Sequence, residues 1–151
     1  METEQVSALM GQTITPPKAP VKYLLYARKS TESEERQVLS IDSQVKEMMD
    51  MADRENLDIV EVRREAHSAK ASGQRPVFKE ILEDIRQEKF NGIIVWHPDR
   101  LSRNAGDLGE LVDLMDQKLL VEIRANGQTF TNNPSEKFLL MILCSQAKLE
   151  N

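Results

Sequence analysis

The run Val21-Lys22-Tyr23-Leu24-Leu25 followed by Tyr26-Ala27-Arg28-Lys29-Ser30 decides how the rest of the chain is read. The apolar run reads as a first β-strand. It opens onto a polar loop, Thr31 to Gln37. Alternate residues of a strand point to opposite faces, so the strand places Arg28 and Ser30 on one side of the chain. Open α/β sheets hold their chemistry at the C-terminal mouth of such strands. An arginine beside a serine hydroxyl there suggests attack on a phosphate, because a guanidinium fork matches phosphate oxygens and stays charged at any working pH. On these residues alone, a loop hydroxyl and a solvated arginine is the commoner arrangement.

The composition sets bounds. The chain has 151 residues, enough for one domain with a real core. Aromatic residues make up only 5%, so that core must be aliphatic, drawing on Leu, Ile, Val and the 7 Met. No apolar run approaches the length of a bilayer span and no signal peptide precedes the first strand, so a cytoplasmic protein is expected. A single cysteine, Cys144, excludes an intramolecular disulfide and a cysteine-based zinc site. The net charge of -5 argues against a sequence-reading nucleic-acid module, which is usually basic. It leaves room for a local arginine cluster that holds a phosphate.

Residues 1–20 carry Thr15-Pro16-Pro17 and Pro20 without apolar periodicity and read as a flexible tail. Ser40 reads as a helix cap with Asp42 in the first turn, and Ile41, Val45, Met48 and Ala52 recur at helical spacing. Asp58 to Val62 is β-branched and short, a second strand, with a loop from Arg63 to Gln74. Pro76 is suited to open a helix whose buried face is Phe78, Ile81, Leu82 and Ile85. Gly92 to Trp96 reads as a central strand, apolar on both faces. A helix burying Leu108, Leu111, Val112 and Met115 follows, then a strand from Leu119 to Ile123 and a loop from Ala125 to Pro134.

Strands alternating with helices predict a three-layer α/β fold. A mostly parallel sheet of about four or five strands has helices on both faces, and a long C-terminal helix begins at Ser135. That divides the chain into the tail, a core over residues 21–134 and the helix over residues 135–151. Phe138 to Cys144 is apolar all round, which is unusual for a helix on the outside of a sheet. It fits either a central core helix or a helix covered in part by a second subunit. Leu140 and Met141 are the expected partner-facing residues, with Phe138, Ile142 and Leu149 inward.

Four separated segments should meet at the C-terminal edge of the sheet. They are Arg28-Lys29-Ser30, Ser40-Ile41-Asp42-Ser43-Gln44, Glu65 to Ser68 with Arg75-Pro76, and Pro98-Asp99-Arg100-Leu101-Ser102-Arg103-Asn104. Arg100 and Arg103 lie about one helical turn apart, close enough to converge on one anion. Asp99 can pair with a neighbouring arginine, an arrangement that is also common as a plain helix-start ion-pair network of small energetic value.

Taken in order, these motifs, with Trp96-His97-Pro98 before Asp99 and Asn133-Pro134 before a helix that ends Ala147-Lys148-Leu149-Glu150, resemble the catalytic domain of the serine recombinases, the resolvase/invertase family. The Ser-Ile-x-x-Gln form is most similar to the large serine recombinases. The resemblance covers Lys22 to Asn151. It implies that Ser30 is a nucleophile forming a phosphoserine bond to a DNA 5′ end, and that Arg28, Arg75, Arg100 and Arg103 bind the phosphate. Asp99 matches an active-site aspartate, and Gln37, Gln44, Glu65 and Ser68 match supporting polar positions. Glu150 matches a glutamate on the oligomerisation helix. The resemblance also implies a dimer that becomes a tetramer in the active complex, with DNA-binding regions beyond Asn151 and no cofactor.

The residues agree with that chemistry. His67 and His97 are the only histidines and neither has a triad-like setting. No carboxylate cluster suits a two-metal site, so the reaction is expected to need no metal. A covalent phosphoester conserves the bond energy, so rejoining needs no nucleotide. Two features depart from it. Glu32, Glu34 and Glu35 make the loop after Ser30 acidic, and the long helix stops early. A non-catalytic assembly module with the same fold has the intact Ser30 and arginines against it. A flavodoxin-like phosphate binder is the other alternative, but Gly106-Asp107-Leu108-Gly109 is a poor glycine loop inside a helix.

Overall fold

A computed structural model of the chain describes residues 20–28, 40–65, 76–102 and 105–149, the last five of these as backbone only. The strands are β1 (Lys22–Arg28), β2 (Asp58–Glu65), β3 (Gly92–Ile94), β4 (Glu122–Ala125) and β5 (Gln128–Phe130). The helices among the described residues are α1 (Ile41–Glu55), α2 (Pro76–Arg86), α3 (Ala105–Asp116) and α4 (Pro134–Leu149), with a 3-10 turn at Pro98–Arg100. The strands form one sheet in the order β2-β1-β3-β4-β5. All neighbours are parallel except β4 and β5. The expected three-layer α/β architecture is borne out.

β1 lies inside the sheet with every residue after Lys22 buried, which is why its sequence is apolar on both faces. Leu24 and Tyr26 face α2, α3 and α4, packed with Phe78, Ile81, Ile85, Leu111, Leu114, Leu140 and Cys144. Tyr23, Leu25 and Ala27 face α1, against Met48, Met51 and Ala52. Each large side chain fully removed from water contributes about 1.5–3 kcal/mol before entropy is counted. The chain winds from β1 to β2 on one side, then crosses back to β3 on the other. The reversal between β1 and β3 opens a crevice at their C-terminal ends, the position where such sheets bind ligands. At the opposite, N-terminal end of this strand pair Gly92 is required, because a Cβ there would lie 2.7 Å from the Tyr23 ring and from Val21 Cγ1.

Ser40 caps α1 as its sequence indicates, its Oγ accepting from Ser43 N at 3.2 Å. The buried face of α1 is Gln44, Met48, Met51 and Ala52, with Ile41 and Val45 only partly covered. The buried face of α2 is the expected Phe78, Ile81, Leu82 and Ile85.

Four expectations are corrected. β2 does not end at Val62 but runs to Glu65, because Arg63, Arg64 and Glu65 pair with Tyr26, Ala27 and Arg28 of β1. A register shift between Tyr23 and Leu24 places one extra β2 residue, Val60, against that step. The bulge lets Ile59 and Val62 both face α1. The strand expected at Leu119–Ile123 starts at Glu122. Leu119 and Leu120 instead direct their amides to Leu114 O at 3.0 and 3.2 Å, and Lys118 takes a left-handed φ of 67° as α3 ends. The expected loop from Ala125 contains β5, joined to β4 by the two-residue turn Asn126-Gly127, with Gly127 at φ 80°.

The fourth correction concerns α4. Leu140 is buried in the core at 0% exposure, not turned to a partner, while Phe138 at 63% and Ile142 at 38% face outward rather than inward. Met141 is exposed as expected. The helix phase is fixed by Leu140 and Cys144, one turn apart on the inner side. Asn133 Oδ1 caps the helix start, accepting from Ser135 N and Glu136 N at 2.9 and 3.2 Å. No helix among the described residues is long and apolar enough to cross a membrane.

Candidate active site

The site grows from the C-terminal end of β1. Arg28 is fully buried, on the same face as Tyr26 and Leu24. Its guanidinium does not reach into solvent. Nε donates to Arg100 O at 3.0 Å and Nη2 to Asp99 O at 2.5 Å. The backbone of Arg28 is held as well: Gln44 Nε2, from the first turns of α1, donates to Arg28 O at 3.1 Å. Gln44 thus acquires a definite task, joining α1 to the end of β1.

The 3-10 turn Pro98–Arg100 follows β3 and presents Asp99 and Arg100 to the crevice. Arg100 is 1% exposed, and its Nη1 donates to Asp99 Oδ1 at 2.9 Å. Its guanidinium carbon lies 6.0 Å from the centroid of the Trp96 ring, a cation over an aromatic face. His97 stands before the turn, with Nδ1 accepting from Asp99 N at 3.1 Å. Burial pushes the Asp99 carboxyl up. The His97 hydrogen bond and the Arg100 and Arg28 charges outweigh it and hold Asp99 below the ordinary aspartate range. α4 closes the turn from behind, with Cys144 Sγ 3.8 Å from Pro98 O.

Glu65 ends β2 one strand away and is 1% exposed. Its carboxylate accepts from the Tyr26 hydroxyl and from the amides of Val77 and Phe78 at 3.0 and 3.2 Å. Those amides belong to the first turn of α2. A buried anion at a helix N-terminus satisfies donors that have no partner inside the helix, and the helix dipole favours its charge.

The structure therefore brings Arg28, Gln44, Asp99 and Arg100 together, with Glu65 beside them on the neighbouring strand. Ser30, Gln37, Ser68, Arg75, Arg103 and Glu150 lie outside the described residues, as does the acidic loop Glu32 to Glu35. The sequence places His97 at the strand-to-helix crossing with a structural or pairing role, and Trp96 in the same motif, but assigns neither a contact in the turn. The signal for His97 was its position directly before Pro98-Asp99, where a side-chain acceptor can cap the turn. Trp96 gave none beyond its place at the end of a strand.

Residues 23–151 match the profile of the family described as Resolvase, N terminal domain. The chain belongs to that family. Its fold is similar to the N-terminal catalytic domain of TP901-1 integrase, at 22% identity and a TM-score of 0.60, covering 85% of this chain and 95% of that one. It is equally similar to a resolvase family site-specific recombinase from Streptococcus pneumoniae, at 23% identity and a TM-score of 0.60, covering 86% and 87%. A serine recombinase from Sulfolobus solfataricus matches at 21% identity and a TM-score of 0.52, covering 81% and 77%. The resemblance to serine recombinases read from the motifs is borne out.

Proposed function

We propose that the chain cleaves and rejoins DNA strands through a phosphoserine bond between Ser30 and a DNA 5′ end, without metal or nucleotide. The observation that carries this reading is the locked pair Arg28 and Asp99-Arg100 at the crevice between β1 and β3. Arg28 ties the end of β1 to the carbonyls of the turn, so the two segments that flank the reacting serine and the phosphate-binding arginines form one rigid unit. Ser30 follows Arg28 by two residues, Arg103 follows Ser102 directly and Arg75 directly precedes Pro76.

In this reading Arg28 is mainly a positioning residue, because two of its donors are spent on protein carbonyls. Arg100, Arg75 and Arg103 neutralise charge on the phosphodiester as it builds in the transition state. Asp99 aims Arg100, Gln44 steadies β1, and Glu65 steadies the start of α2 next to Arg75. Gln37 and Ser68 are supporting polar residues, and the enzyme acts in the cytoplasm. The acidic balance of this chain confines its own phosphate contacts to the local arginine cluster. The test is to quench a reaction with the DNA site under denaturing conditions and map the protein–DNA adduct by peptide mass. The expected adduct is on Ser30; an adduct on any other residue overturns the assignment.

Arg100→Lys should lower the cleavage rate about tenfold or more, because a point charge cannot keep both the Asp99 contact and a bidentate phosphate contact. Arg75→Lys and Arg103→Lys should behave alike. Single-turnover rates at saturating DNA are the measurement, and near-normal rates would show that net charge alone matters.

The exposed row Phe138, Leu139, Met141 and Ile142 is the self-association face in this reading. Leu140 is excluded from it by burial. Sedimentation velocity over a concentration series should show a weak dimer. Met141→Glu should weaken it about tenfold or more, since the charge must be desolvated to enter the interface. A chain that stays monomeric at high concentration, with or without the substitution, refutes this face.

A further inference from the structure

One ring nitrogen of His97 faces two opposite demands. Nδ1 lies 3.1 Å from Asp99 N, a donor, and 3.2 Å from Asp99 Oδ1, an acceptor. An imidazole nitrogen presents either a lone pair or a proton in the ring plane, so it can serve only one of them at a time. Without a proton, Nδ1 accepts from the Asp99 amide and caps the 3-10 turn. Its lone pair then faces Oδ1 unfavourably, and the carboxylate is left to Arg100. With a proton, Nδ1 donates to Oδ1 and the amide loses its acceptor. Oδ1 is also the oxygen that Arg100 Nη1 holds at 2.9 Å, and with two lone pairs it can accept from imidazolium and guanidinium together.

We propose that His97 is a proton-operated positioning residue, which caps the Asp99 amide and so sets the Asp99–Arg100 pair for cleavage when Nδ1 is unprotonated, and which lets go of that amide to donate to Asp99 Oδ1 when Nδ1 is protonated. The consequence for cleavage rests on the recombinase reading above; the contact itself does not. The groups around the ring make the exchange workable. The His97 side chain is 44% exposed, so its proton comes directly from solvent. The charged groups around the ring are Asp99 and Arg100 in the turn and Arg28 from β1. From α4, Cys144 meets the turn at Pro98 O, and the Trp96 ring lies beside His97 with centroids 6.5 Å apart. Neither of these takes up the Asp99 amide. Arg28 grips the far side of the turn at two carbonyls and keeps the turn folded in both states, so the change is confined to the Asp99 amide and carboxylate.

The experiment has two arms. In the first, the Asp99 amide and the His97 ring are followed by NMR in the Ser30→Ala protein across about pH 5 to 8.5, the range in which a histidine exchanges its proton. The Asp99 amide should move in step with the His97 ring. In His97→Asn it should stay still, because an asparagine oxygen caps the same amide and takes no proton. In the second arm, cleavage rates are measured over the same range. The native rate should fall on the acid side along the His97 titration. His97→Asn should hold its rate within about threefold and lose that acid limb, while His97→Ala should be about fivefold or more slower throughout, the scale of losing one capping acceptor. An Asp99 amide that stays still while His97 titrates overturns the proposal. So does a His97→Ala protein with the native rate and profile. A native protein that cleaves no DNA overturns the recombinase reading instead, and the amide titration then still decides the His97 contact.

Discussion

Ser30→Ala protein should bind its DNA site and leave it uncut, with no covalent adduct and a cleavage rate at least about 10⁴-fold below that of the native chain, the scale seen when a catalytic nucleophile is deleted. The size of the loss follows from what remains. The arginines and Asp99 would still hold the phosphodiester, but the hydroxyl that attacks it would be gone. The fold should be unaffected, because β1 is anchored upstream of Ser30 by its own burial, by the Gln44 contact to Arg28 O and by the Arg28 grip on the turn. Gel analysis of quenched reactions measures the rate and the adduct together, and urea unfolding checks that stability is unchanged. Residual cleavage within tenfold of native would place the nucleophile elsewhere.

The parts of the fold that could be read from the sequence are those set by local chemistry. The β1 run is apolar on both faces because it is central, Ser40 caps α1 with its own hydroxyl, and α2 shows its buried stripe at helical spacing. What the sequence concealed depends on partners distant along the chain. Arg63 to Glu65 look like loop residues until β1 is placed beside them. There Arg63 finds Glu61 and Asp84 at 2.8 and 2.6 Å and the Phe90 ring at 5.5 Å, and the polar segment becomes strand. α4 is apolar all round, so periodicity could not choose its inner side; the seat of Leu140 and Cys144 behind the Pro98 turn did. The hairpin turn Asn126-Gly127 was a legible signal that the short, half-polar Gln128 to Phe130 obscured.

The candidate site divides in the same way. Asp99 and Arg100 are neighbours in sequence, and their pairing is visible there. The burial of Arg28 is not, since its two partners are backbone carbonyls, which any residue could supply. A serine-and-arginine motif suggests a guanidinium pointing at substrate. The geometry instead makes Arg28 the bolt between β1 and the turn.

Glu65→Ala should cost about 3–5 kcal/mol of folding stability, a large share of what a domain of this size possesses. The carboxylate accepts three hydrogen bonds at almost no exposure: from the Tyr26 hydroxyl, Val77 N and Phe78 N. Removing it orphans all three donors in the interior, each at about 1–3 kcal/mol, and takes a negative charge from the N-terminus of α2. Alanine also leaves a polar cavity, and water entering it would recover part of the loss. Glu65→Gln separates charge from shape. The amide oxygen can keep one or two of the bonds, but its NH2 must face a donor, so about half the loss is expected. Tyr26→Phe removes one hydroxyl and should cost only about 1 kcal/mol. Urea unfolding with an unchanged m value measures the series. The loss should reach activity too, because Pro76 opens α2 and Arg75 directly precedes it. At temperatures where Glu65→Gln stays folded, its cleavage rate should fall more than its folded fraction. A Glu65→Ala protein within 1 kcal/mol of native would show that the β2–α2 junction is held by its apolar packing alone, with the carboxylate a bystander.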